Sequence, residues 1–364
     1  MIWVNVGGVW KQVMATYVNV GGIWKQVAAV FVNVGGVWKQ LVKPLTYYGT
    51  VSFSTSRGFL SATRTGNGSY ALFGGGYVSY GNYTGTVDAF NTTLVRSTPA
   101  EMGGRAHYGG AYNLNYGMFA GGWDGASGYT YSGVYAYDSS LVQSIGYLSQ
   151  PRENPAGANV GQYALFAGGD DGYSTDYNTV DALDGSLVRT TPTGLSNRKR
   201  GLAGASITDY AIFAGGSYYA SVDAYNSSLV RSTPTNLSIA RGYLAGASVN
   251  NNYALFGGGY DGSSMRVTVD AYNTSLVRST PTGLSVARYQ LAGASTGDYA
   301  VFAGGRDAGG AIFDVVDAYN PSLVRSTPTA MSSGRYTISG QFGTTVGNYI
   351  LFGTGGNADV YKIG

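Results

Sequence analysis

Cysteine is absent from this chain of 364 residues and histidine occurs once, as His107, so carboxylates, guanidinium groups and tyrosines must carry whatever chemistry it does. Disulfides, thiolate nucleophiles and imidazole-rich metal centres are excluded, and neither a metal nor a cofactor is expected. Aspartate and arginine recur eight residues apart as Asp88 with Arg96, Asp181 with Arg189, Asp223 with Arg231, Asp270 with Arg278 and Asp317 with Arg325. A short turn between two strands would set each aspartate opposite its arginine. One copy loses both partners together, to Tyr135 and Gln143, which favours a structural ion pair over an acid/base couple.

A second set is richer in aromatic groups. Tyr77, Tyr80, Tyr83, Trp123, Tyr129, Tyr131, Tyr173 and Tyr177 lie in glycine-rich segments with Asp124, Asp170, Asp171 and Asp176. Aromatic faces beside carboxylates suit sugar rings, whose C–H faces stack while their hydroxyls donate to the acids. The Asp-Gly pairs at Asp124, Asp171 and Asp261 read as turn formers, which leaves the tyrosines unexplained. A two-carboxylate glycosidase built from Asp170, Asp171 and Asp176 is conceivable. Nothing singles those residues out, so a binding protein and not an enzyme is expected.

The elements that position these groups come from two repeat systems. Residues 1 to 42 repeat every 14 as WVNVGGVWKQV, YVNVGGIWKQV and FVNVGGVWKQL. Each unit is a pair of apolar segments around Gly-Gly, the signature of a two-residue β-hairpin, with Val6 facing Val9 and Asn5 facing Trp10. Isolated hairpins are marginal in water, and these carry apolar groups on both faces. They should therefore pack on one another, with Trp10, Trp24 and Trp38 in phase, as an oligomeric stalk over residues 1 to 44.

Residues 45 to 364 repeat with a period of about 46, and the element YALFAGG or its variant begins at Tyr70, Tyr116, Tyr163, Tyr210, Tyr253, Tyr299 and Tyr349. Each of the seven units holds four short segments, LAGAS, YALFAGG, VDAYN and LVRST, which is the pattern of a propeller blade. Ala203, Gly204 and Ala205 suit a first strand at a crowded axis. Residues 45 to 50 align with a fourth strand, while the chain ends on a third strand at Asp359 to Tyr361. Joining the two halves would close the ring and remove its open edges.

The unit resembles the Kelch repeat: a basic residue opens the first strand, a double glycine closes the second (Gly215-Gly216, Gly304-Gly305) and Asp223-Ala224-Tyr225 forms an acidic-x-Tyr third strand. The family's usual fourth-strand tryptophan is replaced by LVRSTP. The expected fold is thus all-β, a seven-bladed Kelch-type propeller over 45 to 364 preceded by three hairpin repeats. Arg57, Arg105, Arg152, Lys199, Arg241, Arg288 and Arg335 would then ring one mouth of the central channel. Converging guanidinium groups there could bind an anion. The resemblance implies instead that they tie neighbouring blades together through backbone hydrogen bonds.

The N-terminal VNVGGVWK units are similar to hairpin repeats of bacteriophage and prophage tail proteins. That resemblance implies a virion structural protein, assembled in a host cytoplasm with other tail or fibre proteins and trimeric through residues 1 to 44. Its propeller loops would bind a host cell-surface glycan or protein; an intracellular Kelch-type interaction module is the alternative. Charged residues make up 11% of the chain and net charge is +3 without a basic tail, so no nucleic-acid partner is expected. No run reaches the length of a membrane span, and the start has no basic-then-apolar leader pattern, so neither membrane insertion nor Sec-type export is expected.

Overall fold

The computed structural model describes residues 43–79, 81–337 and 341–364 in full, together with the six strands within residues 2–42 as backbone. Tyr80 and the expected packing of Trp10, Trp24 and Trp38 lie outside the described residues. Chain contacts divide the protein into residues 1–46 with 363–364 and residues 47–362. In the first unit Ile2–Val6 pairs with Val9–Val13, Tyr17–Val20 with Ile23–Gln26, and Val30–Val34 with Val37–Val42, all antiparallel. The first register sets Val6 against Val9 and Asn5 against Trp10, as the sequence pattern predicts.

The second unit is a seven-bladed β-propeller. Blade four shows the construction: Ala203–Ile207, Tyr210–Ala214, Val222–Tyr225 and Arg231–Ser232 pair in sequence order, antiparallel throughout. The fourth strand is only two residues long, shorter than LVRST predicts. Leu229 explains this, because it stands in the left-handed region at φ 61°, and its equivalents Leu94, Leu141, Leu187, Leu276 and Leu323 do the same. The Asn226 side chain accepts the Ser228 and Val230 amides, holding a turn in which Leu229 leans against the core of blade three. Burial of that leucine between blades offsets the cost of its conformation.

Closure follows the predicted scheme. Leu45–Arg57 pairs with the last strand, Tyr349–Ile363, which also pairs with Gly343–Val346 to complete blade seven. Within the propeller unit the Tyr47 hydroxyl donates to Asp359 at 3.0 Å, and its ring meets Tyr361 edge-on. Cores form between neighbouring blades: Val180 and Ala182 of blade three meet Phe213 and Tyr225 of blade four.

Around the axis neighbouring first strands approach too closely at their glycines to admit a side chain there. A Cβ on Gly157 would overlap the Gly110 carbonyl, one on Gly204 the Gly157 carbonyl, and one on Gly246 the Gly204 carbonyl. Glycine is required there by close backbone approach. Serine hydroxyls link the same strands: Asn159 N donates to Ser206 Oγ at 2.8 Å, Ser206 N to Ser248 Oγ at 3.1 Å, and Ser248 N to Ser295 Oγ at 2.7 Å.

Candidate functional site

Every blade except the second carries one buried polar hub, built on the third-strand aspartate. In blade five Asp270 accepts Arg241 Nη2 at 2.8 Å and the Ser238 amide at 3.0 Å. Arg278 stands farther off, at 3.7 Å, because the strand register sets it opposite Tyr272, two residues from the aspartate. The pairing expected from the sequence is thus the weaker of two. The same order holds for Asp88 with Arg57 and Arg96, Asp181 with Arg152 and Arg189, Asp223 with Lys199 and Arg231, and Asp317 with Arg288 and Arg325.

Arg57, Arg152, Lys199, Arg241, Arg288 and Arg335 are buried in these pairs and form no exposed ring at the channel mouth. Arg241 also donates to the carbonyls of Gly258, Ile239 and Phe256. Its bonds stay within the blade that it opens and the connector leading into it. Burial lowers the pKa of Arg241 and the neighbouring Asp270 charge raises it. In blade two, where no aspartate is available, Arg105 is half-buried, hydrogen-bonds the Tyr135 hydroxyl and lies 3.7 Å over the Tyr131 ring.

The variable positions lie next to this constant frame. The two residues after each inner basic residue are Gly58-Phe59, Ala106-His107, Glu153-Asn154, Arg200-Gly201, Gly242-Tyr243, Tyr289-Gln290 and Tyr336-Thr337. Phe59, His107, Asn154, Tyr243 and Gln290 all hold positive φ, between 52° and 59°. Left-handed backbone is costly for these residues and concentrates at functional sites. The amides run head to tail from blade to blade: Asn154 N donates to His107 O, Tyr243 N to Gly201 O, and Gln290 N to Tyr243 O. A second variable ring follows each double glycine, as Tyr77, Trp123, Asp170, Ser217, Tyr260 and Arg306, and bridges the first through backbone pairs such as Gly58 with Tyr77 and Tyr289 with Arg306.

Together these positions build a continuous aromatic arc at the mouth. Trp123 stacks on His107 at 5.7 Å and meets Tyr83 at 5.9 Å; Phe59 touches Tyr77, His107 and Tyr336. Arg306 lies between Tyr336 and Tyr289, and Tyr289 continues to Tyr243 and Tyr260. The loop residues Tyr77, Tyr83 and Trp123 of blades one and two, with Phe59 and His107, therefore supply one half of the arc. Tyr243, Tyr260, Tyr289, Arg306 and Tyr336 supply the other, and loop length does not mark them. Their signal was positional: side chains that change from repeat to repeat beside an unchanging Arg and Gly-Gly.

A carboxyl cluster sits within the first half. His107 Nδ1 is 2.5 Å from Glu153 Oε2, and Asp170 lies beside Glu153 with its amide on the Glu153 carbonyl. Burial, reinforced by the Glu153 charge, pushes the Asp170 carboxyl up to about 7. Asn154 Oδ1 is buried without a hydrogen-bond partner. Asp176 accepts the Ser217 hydroxyl and pairs with Arg200, while Asp124 and Asp171 are spent on their own turns. Asp124 accepts Ala126 N, and Asp171 accepts the amides of Tyr173, Ser174 and Thr175, which holds its carboxyl at about 2. Tyr129 and Tyr173 project into solvent at the rim, 67% and 70% exposed.

The axis also contains a cavity of about 700 Å³, lined by the first strands and by the turns that follow them, such as those at Leu114, Asn251 and Thr296. None of the arc residues lines it. Its walls are largely glycine and alanine, with the Ser206, Ser248 and Ser295 hydroxyls accepting interblade amides, and Gln341 reaches in to accept Gly110 N and donate to Pro155 O. It belongs to the packing of the axis, and the mouth is the better candidate site.

No protein-family model matches the chain, and no curated protein matches it either. Among solved structures, one titled "Structure of YjhT" superimposes with a TM-score of 0.60 at 12% sequence identity, over 76% of this chain and 99% of that one. YjhT is a propeller as well, and at that identity the likeness speaks for the β-propeller fold alone.

Proposed function

We propose that this protein is a phage or phage-tail-like adhesin, in which a Kelch-type propeller binds a host-surface glycan at its aromatic mouth without cleaving it. The aromatic arc carries the reading. Rings from Trp123 round to Tyr260 line one mouth edge to edge, with Glu153, Asp170 and the unmet Asn154 oxygen among them. Sugars need both: C–H faces that stack on aromatics, and hydroxyls that find acceptors.

The three N-terminal hairpins supply the rest of the reading. Single protein–sugar sites are weak, and a stalk that joins three propellers multiplies them by effective concentration. Full-length protein is expected to be trimeric by light scattering, and residues 45 to 364 alone monomeric. On a panel of bacterial surface polysaccharides, the full-length protein should retain one or more. Trp123→Ala with Tyr129→Ala should cut that retention by about tenfold or more, and the polysaccharide should keep its length. Undiminished retention would move the site elsewhere, and shortened chains would make the protein an enzyme.

A further inference from the structure

Arginine 306 is the exception among the arginines. Every other buried or half-buried arginine sets its guanidinium against a carboxylate, a backbone carbonyl or a tyrosine hydroxyl, as Arg200 does with Asp176 and Arg64 with Tyr112. Arg306 directs Nε to Gln290 Oε1 at 2.7 Å, and its guanidinium carbon lies 5.1 Å from the Tyr289 ring centre and 4.8 Å from that of Tyr336. Among the described residues no carboxylate comes within ion-pairing distance, and neither terminal nitrogen has a hydrogen-bond partner. Those nitrogens are not sealed from solvent, and the Arg306 side chain is half-buried.

The arrangement fixes a planar cation in advance. Two aromatic rings restrict its plane, Gln290 restricts its rotation, and the free N–H groups point away from Nε as a fork. A guanidinium presented in this way matches the two oxygens of a carboxylate, with little side-chain entropy left to lose. Flanking rings displace water and so strengthen the interaction. From the free fork and its aromatic walls, we infer that the protein reads an acidic sugar, with Arg306 engaging the carboxylate of a hexuronate unit while the pyranose lies along the arc. This rests on the glycan-binding reading above and adds the charge of the ligand to it.

Calorimetric titration of the full-length protein tests the inference with hexuronate oligosaccharides of glucuronate and galacturonate, their methyl esters, and neutral oligosaccharides of the parent hexoses. The ester comparison needs no variant: the acid should bind about tenfold or more tightly than its ester. Arg306→Gln should erase that preference, so that the acid binds no more tightly than its ester. Arg306→Lys should restore only part of it, because an ammonium lacks the fork. Equal binding of acid, ester and neutral sugar would overturn the acidic-ligand inference and leave glycan binding standing. Binding of a glutamate-rich peptide through Arg306, with no sugar bound by the wild type, would overturn the glycan reading and this inference with it.

Discussion

Removing the Asp270 carboxylate should cost far more than removing the arginine that sequence spacing pairs with it. Asp270 and Arg241 are both fully buried and 2.8 Å apart, whereas the Arg278 side chain is 28% exposed and 3.7 Å from the carboxylate. Asp270→Ala leaves a guanidinium in the interior without a counter-charge and strips the Ser238 amide of its acceptor. Stranding one member of a buried pair costs about 3–5 kcal/mol. Arg278→Ala gives up a partly screened interaction and one bond to the Asn236 carbonyl, a loss of about 1 kcal/mol. Arg241→Met with Asp270→Leu removes both charges together, so it should lose less than Asp270→Leu alone. Urea unfolding followed by circular dichroism reads all four variants. Equal losses for Asp270→Ala and Arg278→Ala would refute the hub, and so would a double variant that loses as much as Asp270→Leu alone or more.

Three further outcomes are expected. Gly246→Ala forces a methyl group into the Gly204 carbonyl and should lower the melting temperature sharply, whereas Gly297→Ala, which meets nothing within 4 Å, should leave it unchanged. Deleting residues 45–50 removes the outer strand of blade seven and should lower stability by several kcal/mol or cause aggregation; unchanged melting and solubility would contradict closure through that strand. For Asp170 the folded state keeps its proton up to about 7, while the unfolded carboxyl ionises from about 4. The folded state therefore binds more protons in that window, and stability falls as pH rises through it, by at most about 1.4 kcal/mol per pH unit. Asp170→Asn should flatten melting temperature against pH between 4 and 7; an unaltered slope would deny the shift.

The sequence made the architecture legible because a propeller repeats its constraints. Small residues mark the axis, Gly-Gly marks the end of each second strand, and the stray fourth strand at residues 45–50 marks closure. Energetics were harder to read. Spacing placed Asp223 near Arg231, but the register sets Arg231 opposite Tyr225, and Lys199 approaches from a connector no local pattern links to it. The basic residues were predicted at the channel mouth for the same reason: the connector's path turns their side chains inward. The strained leucines of the outer turns have no sequence signature at all, because leucine is unusual at positive φ.

The candidate site was half legible, and the missing half follows from how a repeat evolves a site. Length variation drew attention to blades one to three, where Trp123, Tyr83 and Asp170 stand. In blades five to seven the frame is nearly uniform, yet the residues after the inner basic residue and after Gly-Gly still change, to Tyr243, Tyr260, Gln290, Arg306 and Tyr336. Every inner basic residue except Arg105 is buried in an ion pair and every axial glycine meets a neighbouring backbone, so neither is free to serve a ligand. Two positions per blade still vary beside that frame, and the backbone holds one of them left-handed in five blades at non-glycine residues. A fold that spends strain at the positions it varies most is presenting those side chains, and the chemistry they present is aromatic, with one free guanidinium among them.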